Sequence, residues 1–125
     1  MSQYRPGVCN IGPAEIARRR NSGHVAALAS AALLSVLVGT RAPRGWRLLV
    51  AVPAAASASG YLQAGSHFCA GFGSRGLFNF GALGEEQEVD DPEARALDAA
   101  TSRRIGIQSA AVGAAVGAAA LALPR

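Results

Sequence analysis

The residues of this chain best suited to binding a metal are its two cysteines and two histidines, Cys9, His24, His67 and Cys69. Two thiolates and two imidazoles are a suitable ligand set for tetrahedral zinc. The spacing is unusual, since His67 and Cys69 are separated by one residue whereas Cys9 and His24 lie far apart. This spacing argues against a metal site and favours two histidines at the membrane interface and two small apolar thiols that bind no metal. A redox pair of Cys9 with Cys69 is a further alternative.

These four residues can meet only if the chain turns back on itself, and its apolar segments predict such a turn. Residues 25–39 and 48–64 contain no Asp, Glu, Lys or Arg, and an arginine-rich turn at residues 41–47 joins them. Uncharged segments of this kind are typical of membrane-spanning helices. Because a hairpin crosses the bilayer twice, the residues before its first helix and after its second share one face. The sequence therefore predicts a transmembrane hairpin with all four candidate ligands at one membrane face.

A third uncharged segment covers residues 105–123. Asp91-Pro92-Glu93 is a strong helix start, with Asp91 as N-cap and Pro92 at the first helical position. We expect one unbroken helix from there to Leu123, with its first half in water and its second half in lipid. The predicted fold is an all-α membrane protein, in which a transmembrane hairpin and a third transmembrane helix follow a cytoplasmic N-terminal extension.

The amino-acid composition also indicates that lipid surrounds these segments. Half of the residues are hydrophobic and 16% are charged, well below the roughly 25% usual in soluble proteins. The net charge of +4 lies beside the apolar segments, where its ordinary role is orientation, so the lipid bilayer is an expected partner and nucleic acid is not. A cleavable signal peptide is disfavoured, because the leader is long and two further apolar segments follow.

We predict a single integral membrane domain in four parts. Residues 1–23 form a tail and a juxtamembrane helix that starts at Pro13 and breaks or bends near Ser22-Gly23. Residues 24–65 form the hairpin, with a kink at Pro53. Residues 66–91 form a Gly/Phe-rich interfacial segment, too glycine-rich for a stable helix and with its rings at headgroup depth, followed by an acidic loop. Residues 92–123 form the helix that ends in the third span.

Arginine counting predicts the orientation. With three spans, eight arginines lie on the side of the N-terminus and four on the other. Since positive residues are retained in the cytoplasm, we expect the N-terminus to be cytoplasmic and the C-terminus to lie outside. The first group is Arg5, Arg18, Arg19, Arg20, Arg75, Arg95, Arg103 and Arg104, and the second is Arg41, Arg44, Arg47 and Arg125.

Small residues recur at every fourth position in all three apolar segments, and such ridges let helices approach closely in lipid. We predict that they pack within the chain. The alternative is a homo-oligomer through the ridge of the third segment. The three ridges are Ala27, Ala31, Ser35 and Gly39; Ala56, Gly60 and Ala64; and Ser109, Gly113 and Gly117.

Other motifs carry less weight. Residues 71–76 match G-x-G-x-x-G, but a dinucleotide loop needs a βαβ unit that the chain cannot supply. The acidic residues of 85–91 fit no EF-hand spacing, so a solvated charged segment is the expected role. No catalytic triad order stands out, and we predict no catalytic activity.

Part of the chain, roughly residues 10–76, resembles the YgaP-type two-helix transmembrane module, a small bacterial inner-membrane family sometimes fused to rhodanese domains. The resemblance implies a helical hairpin in the bacterial inner (cytoplasmic) membrane. It departs from the family at Ile16, where an arginine is usual, and at Ala70, where a proline is usual. No rhodanese sequence is present, so the resemblance implies no sulfur transfer. The residues that carry it are Asn10-Ile11-Gly12, Glu15, Arg19, Gly23, Trp46, Pro53, Gly60 and Cys69.

Two functions follow from the sequence. The first is a non-catalytic accessory or scaffolding component of a membrane assembly, which docks through its small-residue ridges, its Phe-rich segment and the charged start of its last helix. The second is a thiol or zinc-like metal site at the membrane face, built from Cys9, His67 and Cys69 with His24 as its weakest member. No residue pattern identifies a cofactor.

Overall fold

The computed structural model describes residues 4–124 and consists mainly of three long helices. Helix α1 covers Pro13–Gly39; a 3₁₀ helix at Arg44–Val50 continues as α2 at Ala51–Ser66; and α4 covers Pro92–Ala122. Between α2 and α4 lie the short helix α3, Ala70–Arg75, and an antiparallel pair of two-residue strands, β1 at Leu77–Phe78 and β2 at Gln87–Glu88. All three long helices are long and apolar enough to cross a membrane. The prediction of three such helices is confirmed.

Helix α1 begins where the sequence predicts and continues where a break was expected. Pro13 is its first residue, a position at which the missing N–H costs nothing. Of the predicted break or bend near Ser22-Gly23, the break is wrong, because the helix runs without interruption to Gly39. Gly23 lies against the ring of Tyr61, whose Cδ1 would come within 2.9 Å of an added Cβ. The close approach of α2 therefore offsets the low helix propensity of this glycine.

The second long helix changes type close to its proline. Residues 44–50 are in a 3₁₀ helix, and the α-helix begins at Ala51, two residues before Pro53. Pro53 thus lies in the first turn of α2, where a missing donor costs least. Trp46 remains 57% exposed at the start of this helix, as expected of an interfacial indole.

Helix α2 packs against both α1 and α4 through glycines. A Cβ at Gly60 would lie 2.6 Å from the backbone nitrogen of Gly23, and one at Gly113 would lie 2.6 Å from the carbonyl oxygen of Ala51. Only glycine permits backbones to approach so closely. The predicted packing of small residues within the chain is confirmed at these two crossings.

The ridge assigned to a homo-oligomer is occupied within the chain. Ser109, Gly113 and Gly117 are buried in α4, and Ala51 of α2 lies against both glycines. As folded, this ridge is therefore not a free surface for a second copy. The ridge of α1 is different, since Ala31, Ser35 and Gly39 are exposed.

The glycine- and phenylalanine-rich segment is ordered and packs inward. It forms α3, so the prediction that it holds no stable helix is wrong over Ala70–Arg75. Phe68 is 0% and Phe72 5% exposed, and Phe72 packs in a small apolar core with Ile11 and Cys69. These two rings are covered by the protein itself and do not form an exposed aromatic surface. Their depth in a membrane stays a prediction. Burial of the rings supplies the stability that the local sequence lacks.

Helix α4 follows its predicted start closely. The carboxylate of Asp91 accepts a hydrogen bond of 3.2 Å from the backbone N–H of Glu93, and Pro92 is the first helical residue. The helix then runs unbroken to Ala122, one residue before the predicted end. Local capping residues located its start, and the extent of the uncharged segment located its end.

Candidate functional site

Polar side chains gather where the N-terminal tail, the start of α1 and the segment after α2 meet. We call this cluster the polar centre; its members are Asn10, Glu15, Arg19, Cys69 and Asn79. Four of the five are at most 3% exposed, and Arg19 is partly exposed. Buried polar groups are costly unless hydrogen-bonded, so each one requires a defined partner.

The side-chain amide of Asn10 pairs with the backbone N–H and carbonyl of Cys69, as the backbone of a neighbouring strand would. Its side-chain Oδ1 accepts from the Cys69 N–H at 2.6 Å, and its Nδ2 donates to the Cys69 carbonyl at 3.2 Å. Its own N–H donates to the carbonyl of His67, and its carbonyl accepts from the N–H of Asn79. One residue of the tail thereby fixes the end of α2 and the segment after β1.

Asn79 extends this network to α1. Its Nδ2 donates to Oε2 of Glu15 at 3.0 Å and to the carbonyl of Ala82 at 2.9 Å, while its Oδ1 accepts from the N–H of Gly81. The other carboxylate oxygen of Glu15, Oε1, lies 3.2 Å from Nη1 of Arg19. Within residues 4–124 this oxygen has no hydrogen bond of good geometry, so charge alone joins it to Arg19.

Arg19 links the carboxylate to the only thiol of the centre. Its Nη2 donates to Sγ of Cys69 at 2.8 Å, and its guanidinium carbon lies 5.6 Å from the ring centre of Phe72. The same sulfur accepts from the backbone N–H of Phe72 at 3.5 Å, which caps α3. Cys69 therefore receives two donors while remaining 3% exposed.

The four predicted metal ligands have separate surroundings. Nδ1 of His24 lies 2.6 Å from the hydroxyl of Tyr61, and exposed His67 ends α2 in a left-handed conformation. The thiol of Cys9 donates weakly to the carbonyl of Ile11 at 3.8 Å, and both cysteines are free. In the described part of the chain, no three His, Cys, Asp or Glu side chains are placed to hold a metal ion. The metal site and the redox pair remain hypotheses without geometric support.

A second buried carboxylate, which the sequence did not single out, ties the tail to α4. Asp98 is 0% exposed and accepts from the hydroxyl of Tyr4 at 2.5 Å and from the N–H of Gly7 at 2.6 Å. Thr101 donates to the carbonyl of Gly7 at 2.7 Å. Burial, together with the hydrogen bond to Asp98, raises the pKa of Tyr4 above its ordinary value. The signal available in the sequence was the helical spacing of Asp98 and Thr101, which places both on the buried face of α4.

At the opposite end of the bundle, Arg47, which the sequence placed in the arginine-rich turn, is buried. It is 2% exposed, and its Nη1 donates to the carbonyls of Ala120 at 3.0 Å and Leu123 at 2.6 Å. The last carbonyls of a helix have no partner within the helix, and a cation there is favourable. Arg47 therefore caps the C-terminus of α4.

Comparison of this chain with family models, with curated proteins and with solved structures gives no match. The functional interpretation accordingly rests on the geometry described above.

Proposed function

We propose that this protein is a small three-span integral membrane protein and a non-catalytic accessory or scaffolding component of a membrane assembly. The observation that carries the proposal is the apolar outer surface of the long helices. Leu28 of α1 is 72% exposed, Val52 of α2 71% and Ile107 of α4 64%. Such a surface is unfavourable in water and is the normal outer surface of helices in lipid.

The distribution of polar groups supports one orientation. The polar centre and Arg18, Arg19 and Arg20 lie together at the start of α1, ahead of its apolar part. The excess of arginines on this side favours a cytoplasmic location for it, in the inner membrane of a bacterium. The N-terminus of the chain is then cytoplasmic.

The uncovered ridge of α1 supports the scaffolding role. Gly60 of the α2 ridge packs against α1, and the glycines of the α4 ridge pack against α2, whereas Ala31, Ser35 and Gly39 remain exposed. An added Cβ at Gly39 would meet no atom within 4 Å among the residues that the structure describes. In lipid, a free small-residue ridge is suited to close packing against a helix of another protein.

Copurification from membranes in a mild detergent tests this role. We expect the native chain to elute with a larger partner, and Ala31→Leu to weaken that association because the leucine separates the two backbones. Ala32→Leu is the matched control, since Ala32 is also exposed but lies on another face of α1. Elution of the native chain as a monomer without partners, or equal loss in both variants, would contradict the proposal.

Membership of the YgaP-type two-helix family is part of the proposal. Its support is that residues quoted for the resemblance act together in the fold: Asn10, Glu15, Arg19 and Cys69 belong to the polar centre, and Gly60 forms the crossing of α1 and α2. Residues that depend on one another in this way are expected to be retained together.

A second candidate is a thiol site at Cys69, favoured by the Arg19 guanidinium 2.8 Å from its sulfur. An adjacent cation promotes the reactivity of a thiol. Mass spectrometry after labelling with a small thiol reagent tests this candidate. It requires that Cys69 react in the folded protein and that Arg19→Gln slow the reaction more than Arg20→Gln. Reaction only after unfolding would contradict it, whereas metal in stoichiometric amount would instead support the metal hypothesis.

A further inference from the structure

A basic cavity of about 520 Å³ opens between α1, α2 and α3 beside the polar centre. Three arginines line it: Arg18 and Arg19 from α1, and Arg75 from α3. Glu86 contributes a carboxylate, and Ser59 of α2 a hydroxyl. The volume lies within the range of small-molecule sites in proteins.

The ring of Phe72 orients two of the three cations. The guanidinium carbon of Arg19 lies 5.6 Å from the ring centre and that of Arg75 lies 5.7 Å from it. Both distances are within the reach of a cation–π contact. Such contacts hold a guanidinium in place without neutralising its charge.

The positive charge of the cavity is only partly compensated within the chain. Arg19 is paired with Glu15. Among residues 4–124, Arg18 and Arg75 form no ion pair, and the side-chain hydrogen bond of Arg75 goes to the carbonyl of Gly71. With Glu86 as the opposing carboxylate, two free guanidinium groups leave one net positive charge, which matches the single negative charge of a phosphodiester.

The cavity also presents a fixed hydroxyl donor. The Oγ of Ser59 accepts from Nε2 of Gln63 at 2.8 Å, and Oε1 of Gln63 accepts from the N–H of Ala70 at 2.8 Å. In the described part of the chain, the hydroxyl hydrogen of Ser59 has no acceptor, so it remains available to a ligand. Guanidinium groups and a hydroxyl are the donors that bind phosphate oxygens.

A second cavity, of about 580 Å³, shares Arg18 and Ser22 with the basic cavity and is lined by Val25, Ala26 and Leu83. It runs along α1 from Ala14 to Ala26. A charged site and an apolar site therefore adjoin across the side chains of Arg18 and Ser22, and this pairing fits a ligand with a phosphate at one end and hydrocarbon at the other.

We propose that the basic cavity binds the phosphate of an anionic phospholipid, with Arg18 and Arg75 paired to the phosphate, Ser59 donating a hydrogen bond, and the glycerol and upper acyl chain in the apolar cavity. This inference rests on the proposed membrane location. A free phosphate ion would present the same oxygens. The adjoining apolar cavity favours the lipid, since a free phosphate ion has no hydrocarbon to place in it.

Native mass spectrometry of the full chain in mild detergent tests the site, with phosphatidylglycerol, phosphatidylcholine and inorganic phosphate added separately. We expect one phosphatidylglycerol to bind in preference to the other two. Arg18→Gln and Arg75→Gln should each weaken its binding about fivefold, whereas Arg18→Lys, which keeps the charge, should retain most of it. Both native side chains are exposed, so the unfolding midpoint of each variant should match that of the native chain.

Arg20→Gln is the matched control, because Arg20 is exposed, lies in the same turn of α1 and does not line the cavity. We expect it to change binding less than about twofold. Equal losses in Arg18→Gln and Arg20→Gln would overturn the site in favour of general attraction to a basic surface. Phosphate binding as tight as phosphatidylglycerol binding would overturn the lipid assignment. Equal binding of the two lipids, unchanged in the variants, would overturn both.

Carbonate extraction of membranes separates this inference from the proposed function. A chain that carbonate releases is not embedded, which refutes the membrane location and the lipid assignment together. A chain that resists extraction but shows no preference for phosphatidylglycerol refutes the lipid site alone.

Discussion

Two asparagine side chains join the parts of the polar centre. Asn10 substitutes for a backbone partner of Cys69, and Asn79 carries the network on to Glu15. The hydrogen bonds of Asn10 to Cys69 connect residues 59 positions apart in the chain. Amide groups suit this role because each offers a donor and an acceptor in one plane.

We predict that Asn10→Ala lowers the free energy of unfolding by about 1–3 kcal/mol, because it removes both side-chain hydrogen bonds to Cys69 and leaves the buried N–H of that residue without a partner. Denaturant or thermal unfolding in detergent, followed by circular dichroism, measures the change. Asn21→Ala is the control, since Asn21 is exposed in α1, and its effect should stay within about 0.5 kcal/mol. Similar effects of the two substitutions would contradict the structural role of Asn10.

Tyr4 provides a pH-dependent prediction. Its raised pKa means that the protonated phenol stabilises the folded chain. That contribution is complete below about pH 10, where the unfolded side chain begins to ionise, and is lost as the pH rises through the folded-state value. Tyr4→Phe retains a ring to stack on Phe78 but cannot donate to Asp98.

We therefore expect Tyr4→Phe to be less stable than the native chain by about 1–2 kcal/mol at pH 8, and the difference to shrink above about pH 10. Unfolding by denaturant at a series of pH values measures it. A difference that stays constant up to pH 11 would show that the contact with Asp98 does not govern the ionisation of Tyr4.

At this scale the sequence identified residues better than it identified their partners. It singled out Cys69 for chemistry. The side chain that donates to this thiol is Arg19, however, which was not one of the predicted ligands. A hairpin places side chains on one membrane face, but the rotation of each helix decides which of them meet, and hydropathy does not define that rotation. The i, i+4 spacing of Glu15 and Arg19 was the available signal for the polar centre.

Among the elements, α1 and α2 cross where Gly23 of one helix meets Gly60 of the other. We predict that Gly60→Ala destabilises the fold by about 1–3 kcal/mol, since its Cβ would lie 2.6 Å from the nitrogen of Gly23. Gly65→Ala in the same helix is the control, because its Cβ would meet nothing within 4 Å, and the better helix propensity of alanine should leave stability equal or higher.

Thermal unfolding in detergent distinguishes the two glycine variants. If Gly60→Ala is no less stable than Gly65→Ala, α1 and α2 do not approach as closely as the structure has them.

The elements that the sequence located best are those with local signals. Pro13 and Asp91-Pro92 marked two helix starts, and the structure begins α1 and α4 there. Helix α3 was missed because its stability comes from the burial of Phe68 and Phe72 against distant segments, which no local propensity reports. The expected break at Gly23 is absent for a similar reason, because packing against the neighbouring helix α2 stabilises the helical conformation there.

For the whole molecule, the central prediction concerns the solvent around the helices. Leu28 is 72% exposed in the middle of α1, so Leu28→Arg should be harmless in water but should cost about 2.5–3.5 kcal/mol in lipid. We expect this variant to resist carbonate extraction less well than the native chain. Asn21→Arg, at an exposed position nearer the polar end, should remain as firmly embedded as the native chain.

Equal resistance of the two arginine variants to extraction would mean that the outer face of α1 does not meet hydrocarbon.

Composition was sufficient to predict three long apolar helices, because an uncharged segment of adequate length has few alternatives. The membrane face of the polar centre and its orientation remain predictions that depend on this experiment and on the arginine distribution.

The buried guanidinium of Arg47 has a consequence for the order of biosynthesis. Its acceptor at Ala120 is translated 73 residues after it. During that interval the arginine has no α4 carbonyls to pair with, and its guanidinium must stay hydrated in the nascent hairpin. The far end of the bundle therefore closes only after α4 has been synthesised, and a nascent chain stalled before that point carries an open bundle end with a solvated cation.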